Sequence, residues 1–408
     1  MVSGETRTVL TNLTIVDSVA EPIDDGAIMI TNERISFVGG RSELEAVPIA
    51  DARVLDLDGA YVTPGLINLH THFSLALPGT VGDGVRSLNP YDLALWMAHG
   101  ARRTLQCGVT TVRCVAERDH ADFALRRAIR AGYLEGPSIY TAGRALICTG
   151  GHGFEGSDTL QCDGPDEFRR GVRSQVSAGA DLIKVMISGG IAGEHEAIAT
   201  KQLSYEELAA VLETAHNWGR KVTAHAGPAE AIAEAVELGL DCDEHGYQLT
   251  PEVAQLMAER QVSYVPTLIV TRCQEFFAEI GVPAWMAERS LSAGPRHRES
   301  YQMALAAGVD CLLGSDMPPF WPIDGTNATV REMEHMSDGG LSPIETLRAA
   351  TIGPARWLGI DEKVGSLSVG KVADLVVLKR DPRESISAYR TLRNVIHEGR
   401  MVSAPEVW

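Results

Sequence analysis

The sequence predicts an α/β protein, a (β/α)8 TIM barrel joined to a small β-sandwich. Two patterns lead to this prediction. In the middle of the 408 residues, apolar strand-like segments alternate with amphipathic helical segments, whereas both chain ends are rich in short β-type segments. We therefore expect a barrel over residues 61–360 and a β domain formed by residues 1–60 and 361–408, because chain ends often lie close together.

The two chain ends share their β-rich character. The N-terminal end contains the strand-like segments TVLTNLTIVD, GAIMIT, ISFVGG and RVLDLDG, each bounded by Gly, Asp or Asn. The C-terminal end continues the pattern with VGSLSVGKVADLVVLKRDP and TLRNVIHEGRMV. These segments are the predicted strands of the small β-sandwich.

Eight candidate strands follow one another between the two ends: VTPGLINLH, VTTVRC, SIYTAG, LIKVMIS, KVTAH, CDEH, VSYVPT and VDCLLGSD. Helical segments such as YDLALWMAHGARRTLQCG and SYEELAAVLETAHNWG separate most of them. Eight β/α repeats are typical of a (β/α)8 barrel, whose active site is formed at the C-terminal ends of the strands.

Composition and charge narrow the function classes. Lys and Arg total 36 against 54 Asp and Glu, and the net charge of -18 argues against binding to nucleic acid or to an anionic membrane. No segment approaches the roughly 18 apolar residues of a membrane span, and the first residues lack signal-peptide features. A cytoplasmic location is therefore expected, and the seven scattered cysteines, without a CxxC pair, are expected to be reduced thiols.

Ionisable side chains stand at or near the ends of five candidate strands. His70 and His72 end the first strand, and because alternate strand residues face the same side, both imidazoles are expected to face one space. Lysine is rarely buried without a partner, yet the fourth strand carries one inside the apolar run DLIKVMIS. We predict that this level of the barrel holds a metal centre, with snorkelling of the lysine to the barrel rim as the alternative. The full set is His70, His72, Lys184, His225, His245 and Asp316.

These motifs resemble the amidohydrolase superfamily, and within it the branch of imidazolonepropionases and prolidase-like enzymes, which includes Xaa-Pro dipeptidases and an ochratoxin-hydrolysing enzyme. The matching segments are TPGLINLHTH, the lysine strand, VTAHA, DEHG, GSDMP and VGSLSVGKVADLVVL, in this order. The resemblance implies two divalent metal ions, zinc or a similar ion, and a lysine carboxylated by carbon dioxide. His70, His72 and Asp316 would hold one ion and His225 and His245 the other, with carboxylated Lys184 as the shared bridge.

The resemblance also implies a hydrolase that cleaves the amide-type C–N bond of a small molecule, either an N-acyl amino acid or a dipeptide. A hydroxide between the metals would be the nucleophile, with Asp316 as general base and acid. A carbamate, phenylurea, lactam or organophosphate is the alternative substrate, and a non-catalytic barrel scaffold is the distant alternative. Pro228 stands where mononuclear deaminases of the superfamily have a glutamate, which disfavours a nucleobase deaminase. Association into a homo-oligomer is expected by family analogy only.

Further residues are candidates for handling the substrate. His152 lies in the Gly-rich segment ALICTGGHGFEGSD, and the resemblance implies that it assists at the substrate carbonyl, with an ordinary loop histidine as the alternative. The resemblance also implies that Tyr247 contacts a substrate carboxylate or the oxyanion, with a packed loop tyrosine as the alternative. Arg144 is a candidate to pair with a substrate carboxylate, with a structural ion pair as the alternative. Phe320 and Trp321 are candidates for an apolar wall, with packing under a loop as the alternative. Glu194, His195 and Glu196 are interpreted as solvated loop residues.

Overall fold

The structure is a computed structural model that describes residues 6–49 and 51–402. Its strands are β1 (Arg7–Ile15), β2 (Ile23–Thr31), β3 (Arg34–Gly40), β4 (Arg53–Pro64), β5 (Leu66–Thr71), β6 (Val109–Cys114), β7 (Ser138–Thr141), β8 (Ala145–Ile147), β9 (Thr159–Gln161), β10 (Ile183–Met186), β11 (Val222–Pro228), β12 (Cys242–Gln248), β13 (Ser263–Val265), β14 (Pro322–Ile323), β15 (Thr326–Asn327), β16 (Leu375–Leu378), β17 (Leu392–His397) and β18 (Arg400–Met401).

The α-helices are α1 (Arg41–Leu44), α2 (Thr80–Arg86), α3 (Pro90–Gln106), α4 (Ala121–Arg130), α5 (Gly164–Ala178), α6 (Tyr205–Asn217), α7 (Ala229–Glu237), α8 (Pro251–Glu259), α9 (Gln274–Ile280), α10 (Ala284–Ala307), α11 (Ala328–Gly339), α12 (Pro343–Ala349) and α13 (Ile352–Leu358). Among the described helices, none combines the length and the apolar character that a bilayer span requires. The two helices quoted from the sequence correspond to α3 and α6. The side chain of Asn89 caps α3, and Ser204 forms a capping box with Glu207 at the start of α6.

The two chain ends meet in one sheet. Its seven strands lie in the order β18-β17-β16-β4-β1-β2-β3, and β16 from the C-terminal end pairs antiparallel with β4 from the N-terminal end. The ends therefore build a common β unit, as expected. Because the described strands of both ends form one continuous sheet, the predicted β-sandwich is not confirmed, and the domain boundaries at 60/61 and 360/361 stay a prediction.

The middle of the chain forms parallel sheets covered by helices. Strands β5, β6 and β7 form one sheet, and β13, β12, β11, β10, β8 and β9 form another. The backbone N–H of Asp181, just before β10, donates to the carbonyl of Thr141 at the end of β7, at 2.8 Å. This hydrogen bond links the two sheets. Seven of the eight predicted barrel strands are present as strands in them.

The eighth predicted strand, residues 309–316, is extended but makes only one ladder bridge, between Cys311 and Tyr264 of β13. Other backbone hydrogen bonds attach this segment on both sides: the N–H of Leu312 donates to Tyr264, and the N–H of Leu69 in β5 donates to Leu313, both at 2.8 Å. These bonds connect β13 to β5 through the eighth segment. They favour a closed (β/α)8 barrel, and the closure itself stays a prediction.

The largest apolar cluster lies between the parallel strands and their helices, where Leu66, Val112, Val185 and Ala224 pack against helical residues such as Leu212. The C-terminal ends of the strands are therefore carried by a closely packed layer. One local difference from the sequence prediction is β8, since part of the predicted Gly-rich loop pairs with β10 as a strand.

Candidate active site

Side chains from several strands converge where the parallel strands end. The candidate ligand atoms of His70, His245 and Asp316 lie within 4.8 Å of one another. The ring of His245 also lies 4.5 Å from the ring of His225, measured between centroids. All six positions predicted as metal ligands line one cavity of about 540 Å³: His70, His72, Lys184, His225, His245 and Asp316.

His70 and His72 present the same ring nitrogen to Asp316. Each Nε2 lies 3.0 Å from Oδ1 of Asp316. Nδ1 of His70 contacts Oε2 of Glu244 at 2.7 Å, and Nδ1 of His72 contacts the carbonyl of Ala116 at 3.0 Å. Because an ionised carboxylate and a carbonyl can only accept, Nδ1 carries the hydrogen in both rings, and Nε2 is the nitrogen that can bind a cation beside Asp316.

His225 and His245 form the other half of the cluster. Nε2 of His225 contacts the carbonyl of Gly189 at 3.2 Å, so that Nδ1 is the nitrogen left to bind a cation. Nδ1 of His245 contacts the hydroxyl of Thr267 at 2.7 Å. Burial lowers the pKa of both histidines well below the usual value, which keeps both rings in the neutral form that binds metals.

Asp316 ends the eighth segment in a left-handed backbone conformation, with φ of 56°. The backbone N–H groups of Ser315 and Asp316 both donate to the carbonyl of His70, which fixes this turn to the end of β5. Burial opposes ionisation of the Asp316 side chain, but the nearby imidazoles hold its pKa well below the usual range. Asp316 is therefore a carboxylate that faces both the histidines and the cavity.

Lys184 is fully buried in β10, between the apolar residues Ile183 and Val185. Its Nζ has no hydrogen-bond partner among the described residues. Burial lowers the pKa of Lys184, and the charge of Arg113 acts in the same direction, while Glu244 opposes it. Lys184 reaches the cavity from inside the sheet, and snorkelling to an exposed rim does not occur.

His152 stands over the second half of the cluster. Its ring stacks on His225 at 4.2 Å between centroids, and its Nδ1 makes a short contact with Glu196. Glu196 also accepts from the backbone N–H of Gly193 at 3.1 Å and from the side chain of Gln202 at 2.9 Å. Glu196, which we interpreted as a solvated loop residue, is instead the mostly buried partner of His152.

Tyr247 also lies beside the metal-ligand cluster. Its ring stacks on His245 at 5.2 Å with an interplanar angle of 3°, and burial raises its pKa well above the usual value. It lines a small apolar pocket of about 50 Å³ together with His152, His225 and Asp316. The hydroxyl is therefore a neutral group close to the reacting centre.

None of the four predicted substrate-binding residues lines the 540 Å³ cavity, and of these four only Tyr247 lines the small pocket beside it. The backbone N–H of Arg144 donates to Gln175, and the ring of Phe320 lies 6.4 Å from that of His99, beside α3. Trp321 packs on Phe276 at 5.3 Å. Residues next to a site residue in sequence can therefore point away from the cavity. Apolar side chains in the wall of the 540 Å³ cavity include those of Leu75, Leu77, Pro78, Met186 and Trp285.

Two buried carboxylates support the site without having been predicted. Glu117 accepts from the backbone N–H groups of Phe73 and Ser74, at 2.6 and 2.9 Å, and so holds the turn that follows His72. Burial raises the pKa of Glu117 to about 7. Burial opposes ionisation of Glu244, yet Arg113, His70 and Lys184 together outweigh it and lower the pKa of Glu244 to about 2. An acid directly before His245, one of the predicted metal ligands, is the sequence signal that could have identified Glu244.

Comparison with known proteins agrees with this geometry. The sequence model of the Amidohydrolase family matches residues 61–402. This chain belongs to the amidohydrolase family. It is accordingly a hydrolase, and the resemblance inferred from the motifs is confirmed.

Relatives of this amidohydrolase include enzymes and solved structures. Ochratoxinase from Aspergillus niger is 29% identical and covers 96% of this chain and 86% of its own length. Imidazolonepropionase from Sphingopyxis alaskensis is 25% identical, with 92% and 91% covered. A prolidase structure complexed with N-methylphosphonate-L-proline is 30% identical, covers 97% of this chain and 99% of its own, and has a TM-score of 0.87.

Proposed function

We propose that this amidohydrolase is a binuclear metal-dependent enzyme that cleaves an amide-type C–N bond at the end of a closed (β/α)8 barrel. The observation that supports the proposal best is the cluster of His70, His245 and Asp316, whose candidate ligand atoms lie within 4.8 Å of one another. Imidazole and carboxylate donors together suit zinc, manganese, cobalt or nickel. We retain zinc or a similar divalent ion as the expected metal.

The residues present fit two ions. His70, His72 and Asp316 would hold one, and His225 and His245 the other. Lys184 fits the bridging position because its buried Nζ has no hydrogen-bond partner among the described residues and a lowered pKa, and carbon dioxide adds only to a neutral amine. Once bound, the two ions would supply an activated water and a Lewis acid for the substrate carbonyl.

Two side chains of the chain have roles in proton transfer and orientation. Asp316 can accept the proton of the attacking water and return it to the leaving nitrogen, because its carboxylate faces the cavity. His152, fixed by Glu196, can donate a hydrogen bond through Nε2 to the substrate carbonyl oxygen. The cavity volume of about 540 Å³ matches a small-molecule substrate.

The proposed substrate is an N-acyl amino acid or a dipeptide. Support comes from the whole-chain similarity to ochratoxinase and to the prolidase complexed with N-methylphosphonate-L-proline. Tyr247 remains the candidate for contact with a substrate carboxylate, since it is the one of the four predicted substrate-binding residues that lies beside the metal-ligand cluster.

A second candidate substrate class, neutral carbamates or ureas, is favoured by one observation. Both arginines that line the cavity already have protein partners: Arg86 pairs with Asp83 at 2.6 Å, and Arg118 donates to the carbonyls of Val85 and Arg86 and to Ser157. A substrate carboxylate would have to compete with these partners for both arginines. A substrate without negative charge would need none.

The experiment that tests the function has two parts. Metal analysis of protein purified with a divalent metal and bicarbonate is expected to give two ions per chain. Turnover is then measured on N-acyl amino acids, Xaa-Pro and other dipeptides, phenyl carbamates, phenylureas, lactams and a phosphotriester. Cleavage confined to carboxylate-bearing amides supports the first class of substrate, and cleavage confined to neutral carbamates or ureas supports the second. One ion per chain or none contradicts the binuclear centre.

Assembly into a homo-oligomer and a cytoplasmic location stay predictions. Light scattering tests the oligomeric state.

A further inference from the structure

A buried ion pair lies directly beneath the candidate metal cluster. Glu244 of β12 is fully buried, and its Oε2 lies 2.7 Å from Nδ1 of His70. Its other oxygen, Oε1, accepts short hydrogen bonds from the guanidinium of Arg113 in β6 and from the hydroxyl of Thr223 in β11. One carboxylate therefore joins four strands at the level of the first candidate ligand.

Arg113 is itself held in place on two sides. Its Nε donates to the carbonyl of Leu69, the residue that precedes His70, and its guanidinium lies 4.4 Å from the ring centroid of Trp357. Arg113 thus fixes the backbone that carries His70, while Glu244 fixes the imidazole. Neither group can move without losing contacts that the fully buried interior cannot replace.

The other three histidines of the cluster are held by uncharged groups. His72 contacts the carbonyl of Ala116, His225 the carbonyl of Gly189, and His245 the hydroxyl of Thr267. Among the described residues, His70 is the histidine of this set whose outer nitrogen lies within hydrogen-bond distance of a carboxylate, whereas Nδ1 of His245 lies 3.9 Å from Asp316. A carboxylate fixes the tautomer and makes the imidazole a stronger metal ligand, and loss of such a partner typically costs about 10- to 100-fold in metal affinity.

From this asymmetry we propose that Glu244, anchored by Arg113, is a positioning residue that orients His70 and makes the His70–His72–Asp316 half of the centre the tighter of the two metal sites. The inference rests on the proposed binuclear function. It assigns to Glu244 no contact with the substrate and no proton transfer. It predicts that metal leaves the two sites in a fixed order, with the site of His225 and His245 emptied first.

The test uses zinc competition with a fluorescent chelator on the full-length apoprotein, in bicarbonate buffer, so that both dissociation constants are obtained without an activity assay. Glu244→Gln keeps the size but loses the charge. Glu244→Asp keeps a charge for Arg113 but is shorter by one methylene, so that it no longer reaches Nδ1 of His70. Asp243→Asn is the matched control, because it makes the same change at the neighbouring buried acid, whose oxygens have no hydrogen-bond partner among the described residues.

For both Glu244 variants we expect the tighter site to weaken by about 10- to 100-fold, while the weaker site and the control each change by less than about threefold. Retention of wild-type affinity by Glu244→Asp would show that Glu244 only neutralises Arg113, and equal weakening of both sites would exclude the asymmetry. A wild-type protein that binds no zinc would instead contradict the proposed function, so the two failures are distinguishable.

A second measurement needs no variant of Glu244 and covers the case in which these variants do not fold. In wild-type protein loaded with cadmium-113 and labelled with nitrogen-15 in histidine, we expect the metal coupling of His70 on Nε2 and a retained proton on Nδ1. The signal is assigned by its absence in His70→Asn. Coupling on Nδ1 of His70 would overturn the proposal.

Discussion

Replacement of Lys184 by methionine separates the chemical use of this residue from its cost to stability. Methionine keeps the long unbranched side chain, so the packing around β10 changes little. It removes an amine that is fully buried and has no hydrogen-bond partner within the described chain. An unsatisfied buried polar group destabilises a protein by about 1–3 kcal/mol. We therefore expect the metal-free Lys184→Met protein to be more stable than the metal-free wild type by about this amount.

The corresponding shift in melting temperature follows from the size of the chain. An unfolding entropy of about 2.1 cal/mol/K per residue gives about 0.9 kcal/mol/K for 408 residues. A gain of about 1–3 kcal/mol then raises the melting temperature by roughly 1–4 °C when the chain unfolds cooperatively. Differential scanning calorimetry must be done with a chelator present, because bound metal would stabilise the wild type alone.

The same substitution is expected to abolish catalysis. Loss of the bridging ligand should leave fewer than two ions per chain and lower turnover by more than about 10³-fold, since metal ions contribute several kcal/mol to transition-state stabilisation. Lys363→Met, on an exposed residue outside the cavity, is the control and should change neither quantity. Two ions and full turnover in Lys184→Met would refute the bridging role. A melting temperature lowered by several degrees would refute the argument that the buried amine is costly.

Three further predictions concern His152 and a distant ion pair. In Gly190→Ala the new methyl group would lie 2.4 Å from the His152 ring and would displace it. We therefore expect kcat to fall by about 10²-fold while the metal content stays unchanged, as measured by steady-state kinetics and metal analysis. Glu196→Gln removes the charged partner of His152, and kcat should fall by roughly tenfold or more in the same assays while both ions stay bound. Burial opposes the positive charge of His397, but Asp374 at 2.9 Å outweighs it and raises the pKa of His397. The resulting stabilisation is present below about pH 6.5 and lost as pH rises through the raised pKa, so His397→Gln should flatten this part of the melting-temperature profile.

Each of these predictions has a clear contrary result. Unchanged kcat in Gly190→Ala would show that the position of His152 does not matter for the reaction, and loss of metal in Glu196→Gln would make Glu196 a support of the metal site instead. The ion-pair prediction fails if the melting temperature of His397→Gln depends on pH as steeply as that of the wild type. His397 would then not be the group that titrates.

The metal-ligand cluster could be predicted from the sequence because it depends on two simple properties of strands. Alternation places His70 and His72 on one side of β5, and parallel strands bring their C-terminal ends to one edge. The supporting contacts depend on which side chains of different strands lie at the same height. Glu244 and Arg113 are 131 residues apart, and Glu244 and His70 are 174 apart, so their contacts follow from sheet register, which sequence patterns do not specify.

The placement of Phe320 and Arg144 away from the cavity has a related cause. Phe320 was selected because it lies close to Asp316 in sequence, and Arg144 because it precedes a Gly-rich loop. Side-chain direction changes with every residue in extended or turning segments, so closeness in sequence does not place a side chain in the cavity. Glu196 shows the reverse case, because a loop acid becomes buried once the loop folds back onto His152.

The charges inside the parallel sheet explain why Lys184 stands apart from its neighbours. Arg113 and Glu244 are both fully buried, and they form a direct ion pair. Lys184 is equally buried but has no acceptor of its own in the described structure. A buried amine is costly without a partner, and Glu244, the acid whose charge acts most strongly on Lys184, already contacts Arg113, Thr223 and His70. Conversion of the amine to a carbamate between two cations, the role proposed for Lys184, would remove this unsatisfied amine.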